Sequence, residues 1–221
     1  MKTNLSKYLL ENGQTAFKKS KDGRKIRTAI WRTQKKKVYG TVFFLNGHRE
    51  FIEKYSDTFE FFIKKGFNVI TLDWRGWGLS ERPFPSRPKV QHISSALEYQ
   101  LDVDNVISLA KEKSLATPWH LVAHSLGCLI GLRRLISEPL CFEKYIFLSP
   151  LWGSFPNVPR PIQRFAIKCE KAIRFLGLIM LTEQSPKKYI PYSLTVDFKK
   201  NTLTSDGKQF ERLQMILREN K

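Results

Sequence analysis

The sequence predicts an α/β chain in which an N-terminal β-hairpin is followed by a mainly parallel sheet with helices on both faces. Three observations point there. Asp22-Gly23 separates two extended stretches, a strong hairpin signal. Val38–Leu45 is a nearly continuous apolar run, as expected of a strand buried on both faces of a parallel sheet. From that run onward, strand-like and helix-like segments alternate, which is the pattern of parallel strands joined by crossover helices.

The elements follow in order. Residues 1–12 read as a short helix or arm. Gln14–Ser20 and Lys25–Arg32 form the hairpin, with Ile26, Thr28 and Ile30 alternating with Arg27, Ala29 and Trp31. After the charged connection Thr33–Lys37 comes the strand Val38–Leu45, then a helix over Phe51–Lys65, where Glu50 and Lys54 stand at i, i+4. Phe67–Leu72 is the next strand. A loop rich in Gly and aromatics, Asp73–Ser80, and the Pro-rich piece Arg82–Pro88 lead to a helix over His92–Lys113, with Ala96, Tyr99, Val103, Val106 and Leu109 at helical spacing. Trp119–Ala123 is a strand, Gly127–Ile136 a helix and Tyr145–Leu148 a further strand ending at Ser149-Pro150.

Between the strand at 119–123 and its helix lies Ala123-His124-Ser125-Leu126-Gly127, a variant of the G-x-S-x-G nucleophile elbow with Ala at the first Gly position. Small residues are needed at 123 and 127 because strand and helix pass close to each other beneath the serine. The turn exposes the hydroxyl and aims the free N–H groups of the helix start at a developing anion. By this reading Asn46-Gly47-His48, Asp73–Ser80, Ser125 and Ser149-Pro150 all stand at the carboxyl ends of strands, where parallel sheets carry their active groups.

Composition bounds the rest. The 221 residues are 42% hydrophobic and 13% aromatic, which excludes a disordered chain. No secretory leader and no apolar run long enough to span a bilayer is read, and the seven-residue cluster Phe175–Leu181 is far too short. Cys128, Cys141 and Cys169 lack metal-ligand spacing, so no metal or cofactor is expected, and they read as free thiols in a reducing cytoplasm. Net charge is +18, distributed as +10 over residues 1–37, +1 over 38–150 and +7 over 151–221. Basic flanks attract anionic surfaces, or serve as solubility charge. Nucleic acid is not expected as a partner, because no reading motif accompanies the charge.

Asn46-Gly47-His48-Arg49-Glu50, Asp73-x-Arg75-Gly76-x-Gly78-x-Ser80 and Ala123-His124-Ser125-Leu126-Gly127 occur in this order and at these separations. In this the chain resembles an α/β-hydrolase, most closely the lysophospholipase and monoacylglycerol-lipase branch. The resemblance covers about residues 14–150, and residues 151–221 resemble the start of the lid in that branch. It implies two parts, a hydrolase core over 1–150 and a partial lid or cap over 151–221. It also implies Ser125 as nucleophile, with the backbone N–H groups of Leu126 and His48 as oxyanion donors. Asn46 stands where the family commonly has His, a change expected to affect loop packing more than backbone donation.

A serine hydroxyl needs a base. In the family, the acid and the His follow the serine. Here His48, His92, His120 and His124 all precede Ser125. His124 is expected to turn away from the elbow, His48 lacks an evident orienting acid, and His92 and His120 read as surface or structural. Asp73 reads as fixing its own loop through turn amides, and Asp197 and Asp206 are not assigned as the triad acid. The expectation is therefore a hydrolase truncated within the lid, its C-terminal strands missing. It would be inactive alone, or completed by a second chain, with the strand at 145–148 left as an exposed apolar edge. The alternative is a non-catalytic remnant or a basic membrane- or anion-binding module.

Leu151–Pro156 leaves the sheet with aromatic groups, and Pro161–Met180 reads as an amphipathic basic helix. Phe198–Leu203 and Phe210–Leu217 are weaker apolar segments. Two readings of the Pro161–Met180 helix stand: an acyl-chain cover that also touches anionic lipid, and an ordinary helix packed on the sheet domain. Trp152, Phe155, Phe165 and Phe175 suit a long apolar substrate, so the expected substrate is a lipid-like ester. The expected location is cytoplasmic, with peripheral contact at the inner membrane face.

Overall fold

The computed structural model describes residues 9, 11–86, 92–152, 159, 161–162, 165, 169, 192–201 and 204–219. They fall into two compact units, one ending at Trp152 and the other drawn from residues 153–219. The first unit contains β1 (Gln14–Lys19), β2 (Lys25–Trp31), β3 (Thr41–Leu45), a 3-10 turn (Ile52–Tyr55), α1 (Ser56–Lys64), β4 (Asn68–Leu72), α2 (Glu98–Glu112), β5 (Trp119–His124), α3 (Leu126–Ser137) and β6 (Lys144–Leu148). The second contains a helical turn (Tyr192–Thr195), a 3-10 turn (Phe198–Lys200) and α4 (Gly207–Glu219), in which Phe198 stacks on Phe210 at 5.6 Å.

The six strands form one sheet in the order β1-β2-β4-β3-β5-β6. β1 and β2 pair antiparallel, as do β2 and β4, whereas β4, β3, β5 and β6 run parallel. The hairpin closes through Gly23, whose φ of +86° is readily adopted by glycine. Alternation along each strand sends side chains to two cores. Phe43, Leu45, Ile70, Leu72, Leu121 and Ala123 pack under α2 and α3. Val42, Phe44, Val69 and Val122 pack with Phe59 of α1 on the other face. The α/β reading, with helices on both faces of a mainly parallel sheet, is therefore the observed architecture.

Several boundaries differ from the sequence reading. The strand expected over Val38–Leu45 begins only at Thr41. Gly40 takes φ +127°, a Cβ there would overlap the carbonyl oxygen of Pro118, and Val38 and Tyr39 turn out to solvent. The helix expected over Phe51–Lys65 opens as a 3-10 turn, where the Ile52 N–H donates to Asp73 Oδ1 at 2.9 Å. The helix expected from His92 starts at Glu98, whose carboxylate accepts the N–H groups of Ser94 and Ser95 at 2.9 and 3.2 Å and closes a turn ahead of α2. In β2 both alternating sets are buried, because the strand lies inside the sheet between the two cores.

Of the helix expected over Pro161–Met180, residues Pro161, Ile162, Phe165 and Cys169 are described and helical, and the rest lies outside the described residues. So do most of residues 1–12 and the aromatic residues Phe155 and Phe175. No helix among the described residues is long and apolar enough to cross a membrane.

Candidate active site

The four parallel strands end at Leu45, Leu72, His124 and Leu148, and the segments that follow them meet at one rim. Trp74 Nε1 donates to the Asn46 carbonyl at 2.8 Å, and Asn46 Nδ2 donates to the Leu72 carbonyl at 3.0 Å. Asn46 is fully buried, so its side chain packs the loop after β3 against the end of β4. The Ser125 N–H donates to the Leu148 carbonyl and the Leu151 N–H to the Ser125 carbonyl, both at 3.1 Å. The loops after β3 and β4 are thereby stitched to each other, and the serine turn is stitched to the end of β6.

Ser125 is the junction between β5 and α3, with φ 50° and ψ −113°. That left-handed backbone is strained for a residue with a Cβ, at a cost of about 1–3 kcal/mol. It is held because the chain must reverse between a buried strand and a helix that crosses close over the end of β3. Gly127 makes the crossing: a Cβ there would overlap the Leu45 carbonyl oxygen and lie 2.7 Å from that of Asn46. Ala123 is buried on the α3 side, and Cys128 tucks beneath the turn with Sγ 3.1 Å from the Ala123 carbonyl and 3.3 Å from that of Leu148. Burial pushes the Cys128 thiol up, which suits a packing role.

His124 points away from the serine into a network the sequence reading did not find. Its Nδ1 lies 2.8 Å from the Tyr55 hydroxyl and 3.1 Å from Glu50 Oε2, and Tyr55 donates to the same Glu50 oxygen at 2.6 Å. The Gly47 N–H and the Lys54 ammonium also donate to the Glu50 carboxylate. Burial would raise this carboxyl, but the donors around it outweigh burial and hold it at about 2. Glu50 thus ties the loop after β3 to the residue before Ser125. The i, i+4 pair with Lys54 was visible in the sequence, but its links to Tyr55 and His124 were not.

His48 packs edge-on against Trp77, with ring centroids 5.1 Å apart and planes at 79°. Burial first, and then the neighbouring Arg49, hold its imidazole below the ordinary value. Among the described residues, neither His48 nor any other histidine hydrogen-bonds to Ser125. His120 stacks on Phe67 at 5.8 Å and His92 on Phe84 at 5.9 Å.

Asp73 does fix its loop, accepting from the Leu79 N–H at 2.8 Å and the Ile52 N–H at 2.9 Å. It also shares the buried Arg27 with Glu53, at 3.2 and 2.5 Å. Burial pushes Asp73 up to about 6 against the pull of Arg27. Arg75 anchors the same loop to α2 and the hairpin turn through Asp102 at 2.8 Å, Glu98 at 2.8 Å and Asp22 at 2.7 Å. Ser80 completes it, its hydroxyl donating to the Asp73 carbonyl at 2.6 Å and accepting from the Arg27 N–H at 2.8 Å.

Comparisons with known proteins agree with this geometry. The chain is 29% identical over 109 residues to "Probable lysophospholipase L2" of Haemophilus influenzae, a match covering 49% of this chain and 34% of that protein. It is 29% identical over 100 residues to "Probable lysophospholipase BODYGUARD 2" of Arabidopsis thaliana, covering 45% and 19%. The matches thus span about a third or less of these relatives. In fold it is similar to the α/β hydrolase GrgF of Penicillium sp. sh18, with a TM-score of 0.55 at 18% identity over 75% of this chain and 55% of that one. Residues 36–206 match the family described as serine aminopeptidase, S33, and because that match takes in every parallel strand and the serine turn, the chain belongs to this α/β-hydrolase family.

Proposed function

We propose that the chain carries the nucleophile of a serine ester hydrolase of the lysophospholipase or monoacylglycerol-lipase type. Ser125 Oγ attacks the acyl carbonyl carbon and its proton passes to a base. The carbonyl oxygen, now an anion, takes the N–H groups of Leu126 and His48. The intermediate collapses by expelling the glycerol-side alcohol, which leaves with a proton. Water then hydrolyses the acyl-serine ester and restores the hydroxyl.

The observation that carries this reading is the strained Ser125 backbone at the head of α3. Strain of this kind persists where packing over-determines it, and a serine raised on a strand-to-helix turn is the arrangement that presents a nucleophile. Neither the Leu126 nor the His48 N–H donates to a described residue, which supports both as oxyanion donors. The names of the two relatives support a lipid ester as substrate.

One observation favours a second reading: all four histidines precede Ser125, and among the described residues none of them hydrogen-bonds to its hydroxyl. On that reading the chain is a non-catalytic relative, or a complementing polypeptide supplies the base. Fatty-acid release from palmitoyl-lysophosphatidylcholine and from monoacylglycerol by the purified protein separates the two. The hydrolase reading expects release that Ser125→Ala abolishes. Release no greater than that of Ser125→Ala from folded protein favours the second.

A further inference from the structure

The end of the sheet opposite Ser125 is a basic pole. Lys35, Lys36 and Lys37 are exposed on the connection between β2 and β3, and none makes an ion pair with a described residue. That connection lies against the end of α1: the Tyr39 N–H donates to the Gly66 carbonyl at 2.9 Å, and the Tyr39 and Phe67 rings stack at 5.8 Å. Lys64 and Lys65 therefore join the same surface. Glu60 there is taken by Lys64 at 2.9 Å. Lys113 and Lys144 extend the pole along the starts of β5 and β6, where Glu112 is shared with Lys18 at 2.8 Å. Within residues 38–150 this end carries Lys64, Lys65, Lys111, Lys113 and Lys144 beside Glu60, Glu112, Glu138 and Glu143, so its excess of positive charge comes chiefly from Lys35, Lys36 and Lys37.

Apolar side chains stand exposed among these lysines. Val38 is 40% exposed, Tyr39 48% and Phe61 56%. Lys37 Nζ lies over the Tyr39 ring at 4.9 Å and Lys65 Nζ over Phe61 at 5.7 Å. Aromatic and aliphatic groups between flexible ammonium groups match a lipid headgroup layer, where charge meets phosphate and rings enter the interface. Lysine outnumbers arginine in the patch, where Arg32 is held by the Lys113 carbonyl at 2.5 Å, and flexible ammonium groups fit a diffuse anionic surface better than the fixed geometry of a nucleic-acid backbone.

We propose that this pole, formed by Lys35–Tyr39 and the end of α1, docks the protein on an anionic lipid surface, with Val38, Tyr39 and Phe61 entering the headgroup layer. Docked in this way, the protein holds the Ser125 rim away from the lipid surface. Substrate then reaches the rim from the aqueous side, as a single-chain lipid does more readily than a two-chain one.

Co-sedimentation of the full chain with vesicles tests the docking, whether or not the protein hydrolyses esters. Phosphatidylcholine vesicles are compared with vesicles containing about a third phosphatidylglycerol, in about 0.1 M salt. The expected result is binding to the anionic vesicles alone. Lys35→Glu/Lys36→Glu/Lys37→Glu should lower partitioning at least about tenfold. Val38→Ser/Phe61→Ser, which leaves the charge unchanged, should also lower it. Lys199→Glu/Lys200→Glu/Lys208→Glu, an equal charge change in the second unit, should have a much smaller effect. Circular dichroism confirms that each variant is folded. Equal losses in the two lysine triples, no binding to anionic vesicles, or normal lipid binding by Val38→Ser/Phe61→Ser with tight binding to duplex DNA would each overturn the proposal.

Discussion

Glu50 Oε2 lies 3.1 Å from Nδ1 of His124, joining the loop after β3 to the residue that precedes the serine turn. The same carboxylate accepts the Gly47 N–H, so it also sets the backbone one residue before His48. Its folded value of about 2 lies below the ordinary 4.5, so ionised Glu50 stabilises the fold. That contribution is complete above pH 4.5 and is lost as pH falls toward 2. Glu50→Gln should cost about 3 kcal/mol at neutral pH. Urea unfolding at a series of pH values should show the gap to the parent protein closing across that acidic window.

Gly127 and Gly131 lie one helical turn apart on α3 but face different neighbours. A Cβ at 127 meets backbone carbonyls that cannot move without displacing β3, whereas one at 131 meets the Leu121 Cδ2 methyl at 2.8 Å. Gly127→Ala should therefore destabilise the protein by at least about 2 kcal/mol more than Gly131→Ala, measured by the same unfolding experiment.

Arg27 is the cation shared by the buried carboxylates Glu53 and Asp73. Arg27→Met leaves both without it, at a cost of about 3–5 kcal/mol. Asp73 already stands at about 6, above its ordinary 3.8, so its ionisation opposes folding as pH rises through 6. Without Arg27 that opposition grows. The deficit of the variant should be largest at pH about 8 and shrink toward pH about 5, as Asp73 takes up its proton.

Among the described residues β6 is the outermost strand of the parallel side, and Ile146 and Leu148 stand about half exposed on it. Edge strands of this kind pair with other chains. Ile146→Lys should reduce concentration-dependent association of the protein without lowering its unfolding midpoint, as read by light scattering and thermal melts.

The parts of this fold legible in the sequence are those in which one residue type answers one local demand. The small residues of Ala123-x-Ser125-x-Gly127 marked the strand–helix crossing, and the apolar run Val38–Leu45 marked a doubly buried strand, though the strand begins only at Thr41. Element ends were less legible. Helical spacing begins at Ala96, but Glu98 folds back onto the Ser94 and Ser95 amides and takes the turn for itself. The links from Glu50 to His124 and from Arg27 to Asp73 were not legible at all. Their partners stand 74 and 46 residues apart, and no local pattern records a contact made only by the sheet order.

The most direct test is whether Ser125 is a nucleophile. The purified protein is treated with a fluorophosphonate probe and the labelled peptide is mapped by mass spectrometry, with Ser125→Ala alongside. One adduct is expected, on Ser125, and none in the variant. Folded protein that stays unlabelled at Ser125 would contradict the hydrolase reading and leave the strained turn as a structural feature of the fold.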